Sequence, residues 1–203
     1  MAANGLRPRT SSANWDRTRP ERRRPARYSE LMRRKPEPGE ASEHFAGYIN
    51  QVQGPGVVEA LERQTVEFTA LLGRVSEEAS LARYEPGKWS VRETVGHITD
   101  TERVFAHRAF WFARCLEGDQ ASMDQDVCAA HAGSGSISLA ALAAEFAAVR
   151  ASTMSLVKLL PEEAWARQGI ANGNPVTVRA LIWIICGHLE HHARILRERY
   201  GLR

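Results

Sequence analysis

VRALIWIICGHLEHHARILRERY, residues 178–200, places three of the chain's seven histidines within five positions: His188, His191 and His192. Its apolar spacing predicts one long helix that begins after Thr177, a favourable N-cap. At about 100° per residue from Leu181, Ile185 projects near about 40°, His188 near about 340° and His192 near about 20°. The i,i+4 pair His188/His192 therefore shares the stripe that must face a core. His191 falls at the edge of that stripe, and Glu190 and Arg197 on the opposite side. An inward histidine pair spaced i,i+4 is a bidentate clamp for a metal ion. The bland alternative is a pair of core imidazoles satisfied by neighbouring carbonyls. That alternative must find partners for two nitrogens on each ring in an apolar setting. The metal reading leads if a third ligand exists.

The third ligand comes from YEPGKWSVRETVGHITDTERVFAHRAFWFARCLEGD, residues 84–119. Pro86-Gly87 marks a turn, and Ser90 with Glu93 forms a capping box, so a helix is expected from Val91 to Leu116. His97 shares its inward stripe with Thr101, Val104 and Phe112. Cys115 shares that stripe too but lies roughly 27 Å along the axis, and His107 roughly 15 Å along it, at the solvent edge. Arg108 projects inward and is expected to pair with a carboxylate. Asp100, Glu93 and His191 are the available acceptors for the histidines' second ring nitrogens.

Two more amphipathic segments complete the set. Val58, Leu61, Thr65, Phe68, Leu72 and Val75 alternate steps of three and four, predicting a helix over Val57–Leu81. Leu139, Leu142, Phe146, Val149, Thr153, Leu156 and Leu160 predict another over Leu139–Leu160, ended by Pro161. Residues 117–137 form a long connection with little helical pattern, expected as a lid carrying Asp124, Asp126, Cys128 and His131. Asn172-Gly173 and Asn174-Pro175 are turn signals. Trp183 and Cys186 project opposite the histidines, so the leader, the connecting strand or a second subunit is expected to cover them. The fold class is all-α: four amphipathic helices in an up-and-down or crossover bundle with one long connection.

Residues 1–44 lack apolar periodicity and are rich in Arg, Pro and Ser, which predicts a disordered leader preceding a domain over residues 45–203. Residues 1–36 carry a net +8 while all 203 residues carry +3, which leaves −5 for the body. Charge thus offers no case for nucleic-acid binding by the folded part, although the basic arm could contact nucleic acid or anionic lipid. A biological start at Met32 is a further reading of this segment. No apolar run reaches the ~18 residues of a membrane span, and no secretory signal is evident. Cys115, Cys128 and Cys186 form an odd set without CxxC, expected as reduced thiols in a cytoplasm.

The runs GKWSVRETVGHITDTERVFAHRAFWFAR (87–114), DQD (124–126), NGNPVTVRAL (172–181) and GHLEHHARILRERYG (187–201) together resemble the DinB-like superfamily. This group of damage-inducible bacterial proteins includes metal-dependent hydrolases and thiol-dependent S-transferases. The resemblance covers about residues 45–203. It implies a four-helix bundle, often a homodimer, with a divalent ion, zinc or nickel, held by His97, His188 and His192. It also implies a small-molecule substrate and a low-molecular-weight thiol as a candidate co-substrate. Asp124 and Asp126 match a family loop usually written with Gly-Phe before Asp-Gln-Asp, where Ser122-Met123 stands here. Three neutral imidazoles leave a coordination position free for water or a thiol, the pattern of a catalytic rather than a closed structural site. The competing reading is a non-catalytic metal- or ligand-binding stress protein on the same scaffold.

Overall fold

Thr177 Oγ1 accepts from the Ala180 backbone N–H, and the final helix starts where the sequence places it. The computed structural model describes Glu30 and residues 34–203. In chain order it contains α1 (Glu43–Gln51), α2 (Val57–Leu72), α3 (Val91–Ala113), α4 (Gln125–His131) and α5 (Leu139–Leu159). The two-stranded hairpin β1 (Gln168–Ala171) and β2 (Asn174–Thr177) follows, and then α6 (Val178–Tyr200). The expected leader lies mostly outside the described residues.

Helices α2, α3, α5 and α6 make the bundle. α3 packs on α5 and α6, and α2 packs on the same two. The order around the bundle is thus α2–α5–α3–α6, with the chain-consecutive α2 and α3 on a diagonal. This is a crossover bundle rather than an up-and-down one. α5 has the length and apolar composition of a membrane span, with a mean hydropathy of 1.3. In the fold it turns Leu142, Phe146, Arg150 and Val157 into the bundle instead.

Local chemistry sets the ends. The Ser90 hydroxyl accepts from the Glu93 N–H, and Glu93 accepts from the Ser90 N–H, so both halves of the capping box are present. α3 stops at Ala113, short of the expected Leu116, because Cys115 takes a left-handed φ of 56° that no helix interior allows. α2 stops at Leu72 rather than Leu81. Gly73 weakens the helix there, and the Ser76 hydroxyl then accepts from Ala79 N–H to start a separate short 3₁₀ turn. The 117–137 connection contains α4, capped by the Asp124 carboxylate on the Asp126 and Val127 N–H groups. Asn172 and Gly173 both have positive φ, 52° and 69°, the backbone of a tight hairpin. Pro175 is therefore inside β2, opposite Ile170, rather than in a turn of its own.

α6 is buried on every side from Val178 to Leu189. The face of Trp183 and Cys186, expected to be covered by the leader, the connecting strand or a second subunit, is covered within the chain. Trp183 is 1% exposed, in the same core cluster as Ile49, Val52 and Trp165, and Cys186 packs near the Val57 carbonyl. The missing cover is α1, which lies along α6. Just before it, Glu40 accepts hydrogen bonds from Arg179 and from the Thr177 hydroxyl and so ties this segment to the start of α6.

The bundle interior also holds a buried polar network. Arg150 donates Nε and Nη2 to Glu102, with Nη2–Oε2 at 2.7 Å. Its Nη1 reaches Gln64 Oε1, and Gln64 Nε2 donates to the Cys186 carbonyl and to Glu190.

Candidate metal centre

His97 stands on the second turn of α3, while His188 and His192 occupy successive turns of α6. A glycine precedes each of the first two. A Cβ on Gly96 would lie 2.2 Å from Ser134 Oγ, and one on Gly187 would lie 2.0 Å from the Tyr48 carbonyl oxygen. The missing side chains let neighbouring segments close over the histidines.

The three rings converge. His188 Nε2 lies 3.1 Å from His97 Nε2 and 3.1 Å from His192 Nε2, and one donor nitrogen from each ring falls within 4.8 Å of the others. His97 and His188 are buried, and His192 is half-buried. Burial lowers the pKa of His97 to about 4, a fall opposed by Asp126 and assisted by His191. Burial lowers that of His192 to about 3 and holds His188 well below its usual value, with the neighbouring histidines adding to both. The rings are therefore neutral at physiological pH, the state a ligand requires.

This donor set fits a divalent ion. A neutral imidazole offers one lone pair and one N–H. A single Nε2 on His188 therefore cannot donate to both neighbours. Two nitrogens on a common ion at 2.0–2.1 Å are separated by roughly 3.3 Å in tetrahedral geometry, close to the observed spacing. Imidazole donors suit zinc, nickel, copper and iron.

The sequence profile of the DinB superfamily matches residues 60–196. The chain belongs to the DinB superfamily. No curated protein matches it. Among solved structures, it is similar to YfiT from Bacillus subtilis, described as a probable metal-dependent hydrolase with an unusual four-helix bundle topology. The identity is 16% and the TM-score 0.63, over 86% of this chain and 100% of YfiT. It is also similar to a mycothiol-dependent maleylpyruvate isomerase, with 15% identity and a TM-score of 0.60. That match covers 72% of this chain and 60% of the isomerase. At such identities the likeness concerns the fold.

The other residues singled out in this DinB-superfamily chain fall elsewhere. Asp124 is the α4 cap. Asp126 is exposed and acts on His97 through its charge alone. His131 is exposed, with Nδ1 2.8 Å from its own helix's Val127 carbonyl, and His107 is exposed beside Trp111. Glu93 is committed to its cap and to Arg83, and Asp100 to Arg103, so neither orients a histidine. The group beside His97 Nδ1 is Thr101 Oγ1, at 3.5 Å. Cys186 is fully buried, and burial pushes its thiol up to about 12, which removes it as a nucleophile. Arg108 hydrogen-bonds the Ala121 carbonyl, not the expected carboxylate.

Two aromatic residues frame the cluster without any periodic signal to announce them. The Trp89 ring centroid is 4.6 Å from that of His97, and the Tyr48 ring lies 5.7 Å from His188 and 5.3 Å from His191. Beside His97 and His188 lies a cavity of about 480 Å³. The α3 stripe of His97, Thr101, Val104, Phe105 and Arg108 forms one wall, and α1, the α4 approach, the hairpin and Leu181 and His188 of α6 form the rest.

Proposed function

We propose that this chain is a divalent-metal-dependent enzyme that transfers a low-molecular-weight thiol to a small electrophile. His97, His188 and His192 hold the ion through Nε2. The observation that carries this reading is the convergence of three neutral imidazole nitrogens beside a cavity large enough for a small molecule. A bound dication would supply Lewis acidity that stabilises a thiolate, or ionises water, near neutral pH.

The protein's own residues supply the rest. Burial keeps the three rings deprotonated, Thr101 lies against the far nitrogen of His97, and Trp89 and Tyr48 pack around the cluster. No Asp or Glu lines the cavity among the described residues. Hydrolysis gains from a carboxylate base that takes a proton from water, whereas a thiol, already titrating at ~8.5, would lose its proton to solvent near neutral pH if a bound dication lowered that value. This observation ranks thiol transfer above hydrolysis, which is the second activity to screen. A non-catalytic ligand-binding role is the outcome if neither turns over.

The test is elemental analysis of the purified chain after zinc or nickel loading. A screen of thiols with a chromogenic electrophile, beside an ester and amide hydrolysis panel, accompanies it. One ion per chain and thiol conjugation that chelation abolishes are expected. Stoichiometric metal with no turnover in any panel would move the protein to the binding role.

A further inference from the structure

Arg108 is 7% exposed and lines the same cavity as His97, eleven residues further along α3. That spacing amounts to roughly 16 Å of helix rise. Side chains on a helix lean toward its N-terminus, so Arg108 leans back toward the histidine end. Its Nη2 donates to the Ala121 carbonyl, and its guanidinium carbon lies 5.7 Å from the Phe105 ring centroid. Asp119 acts on it through space, yet the Asp119 carboxylate itself accepts from the Gly173 N–H, at 3.1 Å. Among the described residues, Arg108 is the one Lys or Arg that lines the cavity, and no acidic side chain lines it. Of the five guanidinium donors, one is placed on a carbonyl, and an anion in the cavity would complete others. The walls of the cavity offer apolar surface from Val104, Phe105, Met123, Pro175 and Leu181 beside polar side chains such as Ser122 and Gln125.

We propose that Arg108 is the anion-binding residue of this cavity, and that the molecule taken there is an amphipathic carboxylate. Its charged end meets Arg108, and its apolar middle runs toward His97 and His188. Arg108 is the one cationic Lys or Arg side chain among the described lining residues, and one guanidinium matches the single negative charge of a carboxylate, which it can hold with two parallel N–H donors. The proposal rests on the proposed function only in placing the reacting group at the histidine end.

The test uses calorimetric titration of the full-length purified chain with octanoate and with 1-octanol, before and after dialysis against EDTA, with metal content measured in parallel. Octanoate is expected to bind at least about tenfold more tightly than octanol, the worth of a charge-assisted hydrogen bond. The preference persists after chelation because Arg108, not an ion, carries it. In Arg108→Gln the two affinities converge to within about twofold, and Arg108→Lys keeps part of the preference. Thermal melting confirms that each variant is folded. Equal affinities in the wild type, no binding of either probe, or a preference that survives Arg108→Gln or disappears with EDTA would overturn the assignment. Absence of bound metal with the octanoate preference intact would sink the metal-dependent reading and leave Arg108 in place.

Discussion

The Cα of Gly187 lies so close to the Tyr48 backbone that an added Cβ would come within 2.0 Å of the Tyr48 carbonyl oxygen and 2.3 Å of its carbon. That contact presses α1 onto α6 one residue before His188, and it brings the Tyr48 ring to the edge of the histidine cluster. The obstacle is backbone, which cannot rotate aside as a side chain could. Gly187→Ala is therefore expected to destabilise the fold by about 2 kcal/mol, within the usual range for overpacking. It should also weaken metal binding by displacing α1. Urea denaturation with metal titration checks this. A stability change within about 0.5 kcal/mol, the scale of an ordinary surface substitution, would show that the helices separate freely.

Arg150 and Glu102 form a second dependency, far from the surface. Both are almost wholly buried, with three hydrogen bonds between them. Removing one partner leaves an unpaired charge in the bundle, so Glu102→Met or Arg150→Met should each cost about 3–5 kcal/mol. The double replacement should cost clearly less than either single one, because the stranded charge is gone. Denaturant unfolding of the three variants supplies the double-mutant cycle. Additive losses would mean that the two groups are not coupled.

Helical phase explains why so much of the centre is legible from sequence. A capped start and a run of apolar positions fix which face of each helix His97, His188 and His192 occupy, and the packing of α3 on α6 then brings the rings together. Phase says nothing about how many neighbours a helix has, so Trp183 looks outward on a wheel although α1 and the bundle enclose α6. Helix α1 has nine residues directly after an Arg- and Pro-rich tract, too short to stand out by periodicity. The strands have four residues each, below the length at which alternation declares itself. Val75 keeps the α2 stripe in phase beyond Gly73, which hides the helix end. Tyr48 and Arg108 gain their meaning only from tertiary contacts, and no local pattern encodes those.

Geometry separates the proposed ligands from the fourth histidine beside them. His97, His188 and His192 converge, while His191 is set aside against Tyr48. His97→Ala and His188→Ala are expected to abolish stoichiometric metal binding, and His191→Ala to weaken it only modestly. Elemental analysis of the purified variants reads this directly. Equal losses from His191→Ala and the other two would refute the assigned ligand set.

Acid should act on the metal-free protein through the same residues. Burial holds His97 at about 4 and His192 at about 3 in the fold, whereas an unfolded histidine titrates near ~6.5. Between those values the unfolded chain binds more protons than the native one, so stability rises with pH across that window. The contribution is present in full above about 6.5 and declines as pH falls toward about 4. Its slope is at most about 1.4 kcal/mol per pH unit for each histidine. Urea midpoints of EDTA-treated protein from pH 8 to pH 4.5 measure this, with His97→Asn as the control. The variant has one fewer neutral imidazole to protonate on unfolding, so its loss on acidification should be shallower than the wild type's. Parallel curves for the two proteins would show that His97 titrates normally in the fold, and the neutral-ligand account of the centre would go with it.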